Sequence, residues 1–218
     1  MMEAMTTQFC DAIQNKLGRV KNATSIFVVD SDIIPEAKQD ELEDILKLKA
    51  SGIHELKKML YRGTKNGMTP KAFHDKCDGQ GPTLTLVRTS KDYVFGGYAG
   101  SSWNSASGCV TDPSCFVFNV VNPYNDPVTK MPVLKPERAM YCGVAYGPHF
   151  PGAFALYNRD LNSEGPLDSC WAGVFHAVYG PYGDPLGRGY STFVDDSEDG
   201  DFFTAVEIEV FAVAVPLC

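Results

Sequence analysis

Hydrophobic positions along this chain fall into two regimes that meet near residue 80. Before it the spacing is helical. In Pro35–Lys49 the apolar positions Leu42, Ile45, Leu46 and the stem of Lys49 recur at i, i+3, i+4 and i+7, with Pro35 near the start and Gly52 just past the end. An amphipathic helix follows. Ile53, Leu56, Met59 and Leu60 continue that spacing and predict a second helical stretch leading into Tyr61-Arg62-Gly63. Asn66-Gly67 marks a turn, and Thr69-Pro70 reads as N-cap and first residue of a third helix, Lys71–Asp78. Further upstream, Ile26-Phe27-Val28-Val29 fits either a short strand or an N-terminal extension.

From Pro82 onward the period falls to two. Thr83-Leu84-Thr85-Leu86 alternates, Ser90-Lys91-Asp92 supplies a turn, and Tyr93-Val94-Phe95 returns, which predicts an antiparallel hairpin. Further strands are expected in Cys115–Val121, Ala139–Val144, Gly152–Tyr157, Trp171–Tyr179 and Phe202–Val215, joined by Pro, Gly, Asn and Asp clusters. The predicted class is α+β: helices concentrated in the N-terminal third, then a two-sheet antiparallel β-sandwich flanked by them. With 218 residues and 44% hydrophobic content, one sizeable core can be buried, so we expect an N-terminal extension over residues 1–30 and one domain over 31–218.

Composition narrows the function classes. No stretch approaches about 18 consecutive apolar residues, and the N-terminus lacks a basic start followed by an apolar block, so neither a membrane span nor a secretory leader is expected. The seven cysteines are odd in number and show no CxxC spacing, which fits reduced thiols in a cytoplasmic protein. Net charge is −8, and residues 81–218 carry the excess, with seven basic against fifteen acidic side chains. That balance disfavours nucleic acid and favours a partner with a basic face.

Three constellations could carry chemistry. His74 and Cys77 stand one turn apart on the third predicted helix, where an imidazole could activate a thiol; Phe73 at i−4 from Cys77 argues instead that the thiol is buried with it. In the acidic loop, Asp195, Ser197, Asp199 and Gly200 match positions 1, 3, 5 and 6 of a calcium loop, so that Asp195, Ser197, Asp199 and Asp201 are the candidate calcium site. Position 12 is Val206, with Glu207 one place late, and a strand rather than a helix follows, which favours a solvated hairpin loop. Glu207 and Glu209 share one strand face: a carboxylate pair, a polar outer face, or buried acids bonded to a base such as Arg62. None of the glycine-rich loops opens a helix with Lys-Ser or Lys-Thr, and no cofactor is expected.

The order of blocks is more informative than any one of them. Leu60-Tyr61-Arg62 with Gly67, Phe73-His74 with Cys77-Asp78, Gly81-Pro82-Thr83-Leu84-Thr85, Tyr93-Val94-Phe95-Gly96-Gly97-Tyr98 and Trp103 resemble the TLDc domain family. Cys115–Val120, the turn Gly147-Pro148-x-Phe150, Asp160-Leu161 and Glu207–Phe211 continue the resemblance, and Ser31-Asp32-Ile33-Ile34 is similar to the family's lead-in segment. The resemblance implies a β-sandwich and a function that is not clearly enzymatic: protection against oxidative stress, and binding and regulation of the vacuolar-type proton-pumping ATPase. It offers no catalytic residues. The expected role is therefore a non-catalytic protein-interaction module, the alternatives being a thiol-dependent antioxidant enzyme using Cys77 with His74, and a calcium-modulated binding domain.

Overall fold

The computed structural model describes residues 31–47, 55–158, 160–167, 170–172, 181–187, 192–194 and 202–214. Ile26–Val29, the extension over residues 1–30, the acidic loop 195–201 and most of Trp171–Tyr179 lie outside these.

A 3-10 turn, Glu36–Lys38, leads into α1 (Gln39–Lys47), so the first expected helix is present. The second is not. Residues 55–62 form a strand, β1 (Glu55–Arg62), in place of the helix suggested by Leu56, Met59 and Leu60. The reason is visible in the pairing, where register shifts fall between Leu56 and Met59 and again between Met59 and Tyr61. Each irregularity adds to the interval between side chains on one face, so a bulged strand imitates helical spacing. A single turn, α2 (Gly63–Asn66), then closes at Gly67, whose φ of 105° is open to glycine. Helix α3 (Pro70–Cys77) starts as expected: Thr69 Oγ1 accepts from the Ala72 amide at 3.1 Å, and Pro70 takes the first helical position.

The remainder is strand. The hairpin β2 (Thr83–Thr89) and β3 (Val94–Ala99) pairs Thr83 with Ala99 through Arg88 with Val94. It is followed by β4 (Gly108–Val110), β5 (Phe116–Val121) and β6 (Thr129–Pro132). After a 3-10 turn at Pro136–Arg138 come β7 (Met140–Cys142), β8 (Tyr146–Phe150) and β9 (Phe154–Tyr157). The described C-terminal strands are β10 (Cys170–Ala172), β11 (Phe202–Phe203) and β12 (Ala205–Ala214). Strand β8 contains Gly147-Pro148, read from sequence as a turn; the pair sits at a register shift between Tyr146 and His149, where a proline is tolerated in a ladder.

Among the described residues three antiparallel sheets result. The largest runs β1-β12-β2-β3-β5-β6, a second β11-β10-β9-β8, and β4 pairs with β7 alone. Among the described residues all three α-helices precede residue 78. The six-stranded sheet is buried on both faces. Its inner face shares a core with the four-stranded sheet, Phe95 meeting Phe154 at 5.3 Å between ring centroids. Its outer face, with Leu84, Leu86, Phe118 and Phe211, is covered by Ile33, Ile34, Leu42 and Leu46 of the lead-in segment and α1. Each such side chain contributes about 1.5–3 kcal/mol by leaving water. The alternation along β12 therefore does not mark a solvent face, and Glu207 and Glu209 are 4% and 0% exposed.

The glycine pair of β3 leaves room for close neighbours, Gly96 within its own sheet and Gly97 toward the second sheet. A Cβ on Gly96 would stand 2.2 Å from the Thr85 carbonyl oxygen and 2.7 Å from Phe118 Cζ, and one on Gly97 would stand 2.6 Å from Phe150 Cζ. One glycine admits the outer core and the other the inner. Trp103, 1% exposed, donates from Nε1 to Thr83 Oγ1 at 2.9 Å and meets Phe73 and Phe150 edge-on at 5.4 and 5.5 Å. Tyr61 extends this aromatic chain to Phe73 at 5.9 Å and donates its hydroxyl to the Gly67 carbonyl at 2.8 Å.

Candidate functional site

Helix α3 carries the His–Cys pair, and its last turn sends the two side chains to different places. Cys77 is 0% exposed within the inner core, and burial pushes its thiol far above the ordinary range, with the neighbouring Asp78 carboxylate adding to the shift. A thiol in that setting stays protonated and is a poor nucleophile. His74 turns toward the strands. Its Nε2 faces the carbonyls of Gly143 and Tyr146 at 3.1 and 3.0 Å, so this nitrogen carries a proton and donates, and Nδ1 lies 2.7 Å from Asp78 Oδ1. Both ring nitrogens are thus engaged away from Cys77. Asp78 Oδ2 in turn accepts from Ser105 Oγ at 2.7 Å, and the Gly79 amide donates to the Trp103 carbonyl at 3.0 Å. The result is a clasp holding α3 to the turn after β7 and to the Trp103 loop.

The two acidic residues of β12 are held separately. Arg62 reaches Glu209 Oε1 at 2.7 Å and is also bonded to Asp32. Glu209 further accepts from Ser31 Oγ at 2.6 Å and from the Asp32 amide at 3.0 Å. Desolvation raises the Glu209 carboxyl, opposed by the bonds from Ser31, Asp32 and Arg62. Glu207 accepts from the Thr64 amide at 3.1 Å and from its hydroxyl, which ties α2 to β12. The pair anchors the lead-in segment and α2. Of the sequence alternatives, that of buried acids bonded to Arg62 describes Glu209.

Asp112 is a further buried carboxylate that sequence reading did not single out; it accepts from the amides of Gly100, Ser101 and Ser114 at 2.7, 2.8 and 2.9 Å and shapes the loop after β3. Its only signal in the sequence is an acid beside Pro113 in a Gly-Ser-rich stretch, which any turn would show. None of the five described cysteines is in a disulfide; Cys109 is exposed, and Cys115 donates to or accepts from the Tyr182 hydroxyl at 3.1 Å. Among the described residues no group of three or more His, Cys, Asp or Glu is arranged to hold a metal ion, and no helix is long and apolar enough to cross a membrane. The calcium candidates Asp195, Ser197, Asp199 and Asp201 lie outside the described residues.

The surface around the clasp is aromatic. Tyr146 meets Tyr141, His149 and Tyr157 at 5.3, 4.9 and 5.7 Å between centroids, and Tyr141 meets His149 at 5.2 Å. Burial drives His149 down to about 4, so its ring is neutral at physiological pH.

Two comparisons bear on what this arrangement belongs to. The chain is 34% identical over 63 residues to the MTOR-associated protein MEAK7 of Danio rerio, an alignment covering 29% of this chain and 14% of that protein. The chain thus matches only a small part of the length of that relative. The TLDc domain family matches over residues 27–157, which takes in the lead-in segment, α1 to α3 and β1 to β9, including the Tyr61–Phe73–Trp103–Phe150 chain and both β3 glycines. With more than half of its length matched, this chain belongs to the TLDc domain family.

Proposed function

We propose that this chain is a non-catalytic interaction module of the cytoplasm, binding a protein partner through a basic face on that partner. The carrying observation is how the shared blocks are used. Their glycines, aromatics, Thr83 and Cys77 are occupied by close layer contacts and core packing, and the one adjacent His and Cys have a protonated thiol and a fully engaged imidazole. Function then falls to the surface, where acidic side chains outnumber basic ones across residues 81–218.

The resemblance suggests the assembly: a vacuolar-type proton-pumping ATPase, regulated by docking, with oxidative-stress protection as the cellular consequence. The similar zebrafish protein is named for association with MTOR, which also speaks for a role inside a regulatory assembly. The test is binding of the purified chain to the purified soluble sector of that ATPase. Association that weakens several-fold between about 50 and 300 mM salt agrees with electrostatic docking. An absence of binding at the lower salt refutes the ATPase as partner.

A further inference from the structure

The chain between Arg138 and Arg159 has an unusual surface for its composition. Residues 139–158 contain no Asp, Glu, Lys or Arg, although β7, β8, β9 and their turns reach the outside of the domain. Tyr141, Tyr146, His149 and Tyr157 are each partly exposed, and their rings form one contiguous cluster. At its edge the turn closed by the Tyr146 amide on the Gly143 carbonyl, 2.9 Å, lifts Val144 to 49% exposure. Both carbonyls that flank this turn are pinned by His74, so the apex is held rather than left to move.

Such a patch has the make-up of an interface centre: rigid tyrosines with an apolar body and a polar tip, and no charge to desolvate. His149 belongs to it as an uncharged ring. Its Nδ1 is buried and has no hydrogen-bond partner among the described residues. The rim is acidic. Asp78 adjoins through His74 with 29% of its side chain exposed, and Asp160 and Glu164 are exposed on the loop that leaves β9. On α3, Lys71 is neutralised by Asp75 at 2.5 Å, which leaves Lys76 as the exposed cation of that helix without such a pairing.

Resting on the interaction-module reading above, we propose that the Tyr141–Val144–Tyr146–Tyr157 face is the docking surface, and that its occupant is an extended protein segment carrying arginine or lysine beside aliphatic side chains. Ring faces attract the cation, the carboxylates of Asp78, Asp160 and Glu164 add long-range attraction, and Val144 with the tyrosine bodies takes the aliphatic part. An acidic or uncharged segment would gain only the last of these.

The test uses the full chain and two short synthetic peptides, one alternating arginine and leucine and one with glutamate in place of arginine. Binding is followed by the tyrosine-ring and Val144 methyl NMR signals. The arginine peptide is expected to shift these signals, and Val144→Lys, at an exposed position that does not endanger folding, to weaken it about tenfold. Val206→Lys, at another exposed apolar position, controls for added charge and should change affinity less than about twofold. Equal effects of the two lysines, or shifts confined to another face, overturn the surface while leaving the module reading intact. Binding of the glutamate peptide at the patch overturns the charge assignment. If neither peptide binds anywhere at about 50 mM salt, both the surface and the basic-partner reading fall.

Discussion

Replacing Gly97 by alanine adds a single methyl group where the two sheets meet. The new Cβ would lie 2.6, 2.8 and 2.9 Å from Phe150 Cζ, Cε2 and Cε1. Ordinary contact needs about 3.5–4.0 Å, so the ring must retreat by roughly 1 Å. It has nowhere to go, because Trp103, Phe154 and Tyr182 stand against it at centroid separations of 5.5, 4.8 and 6.5 Å. Overpacking of this kind costs about 1–3 kcal/mol, and the loss of glycine's freedom in the unfolded chain returns about 0.4–1 kcal/mol. The mid-values leave a net loss of about 1.3 kcal/mol, which corresponds to a fall in Tm of roughly 3–5 °C for a domain of this size. Urea denaturation with an unchanged m-value would measure it directly. The double variant with Phe150→Leu separates this cause from a general strand effect, since a smaller side chain opens the space and the combined loss should be less than the sum of the two. Gly97→Ala within about 0.5 kcal/mol of the parent, or strict additivity with Phe150→Leu, would refute the packing argument.

Other expectations follow from single contacts. Because burial raises the Glu209 carboxyl in the folded chain, its ionisation opposes folding: the favourable contribution is complete below the unfolded value, near the ordinary 4.5, and is lost as pH rises through the folded one. Glu209→Gln should therefore gain stability relative to the parent as pH increases above about 4.5, on top of a pH-independent loss from the weakened Arg62 and Ser31 bonds; a difference that is flat with pH, read by denaturation at pH 4 to 7, contradicts this. Of the five described cysteines Cys109 should be alkylated first in the native chain, and Cys77 at least about 100-fold more slowly, as judged by peptide mass mapping over time. Fast modification of Cys77 would restore the thiol-enzyme reading. Thr69→Ala should cost about 1 kcal/mol through loss of the bond to the Ala72 amide, while Thr69→Asn should stay within a few tenths; equal losses would mean the cap does not act through its side-chain oxygen.

Local chemistry was legible wherever one residue type answers one geometric need. Thr69-Pro70 announced the start of α3, Ser90-Lys91-Asp92 the turn between β2 and β3, and the ordered blocks from Leu60 to Trp103 the family. Spacing misled where the ladder is irregular, the bulges of β1 making a strand look helical, and the turn that the resemblance implied at Gly147-Pro148 lies within β8 at a register shift. Isolated short strands such as β4 and β6 left no period long enough to read.

Capping, turns and alternation act between neighbours a few residues apart, so the order of residues is enough to specify them. Whether a face is wet depends on what folds over it from far along the chain. Ser31 lies 178 positions from Glu209, yet it helps to bury a carboxylate that alternation alone would equally place in water. The same holds at the candidate site, where an i, i+3 spacing put His74 and Cys77 on neighbouring positions but the Gly143 and Tyr146 carbonyls, about 70 residues away, drew the imidazole off. And the uncharged run from Ala139 to Asn158 reads as core in one dimension; only the packing of β7, β8 and β9 turns part of it outward as a tyrosine face.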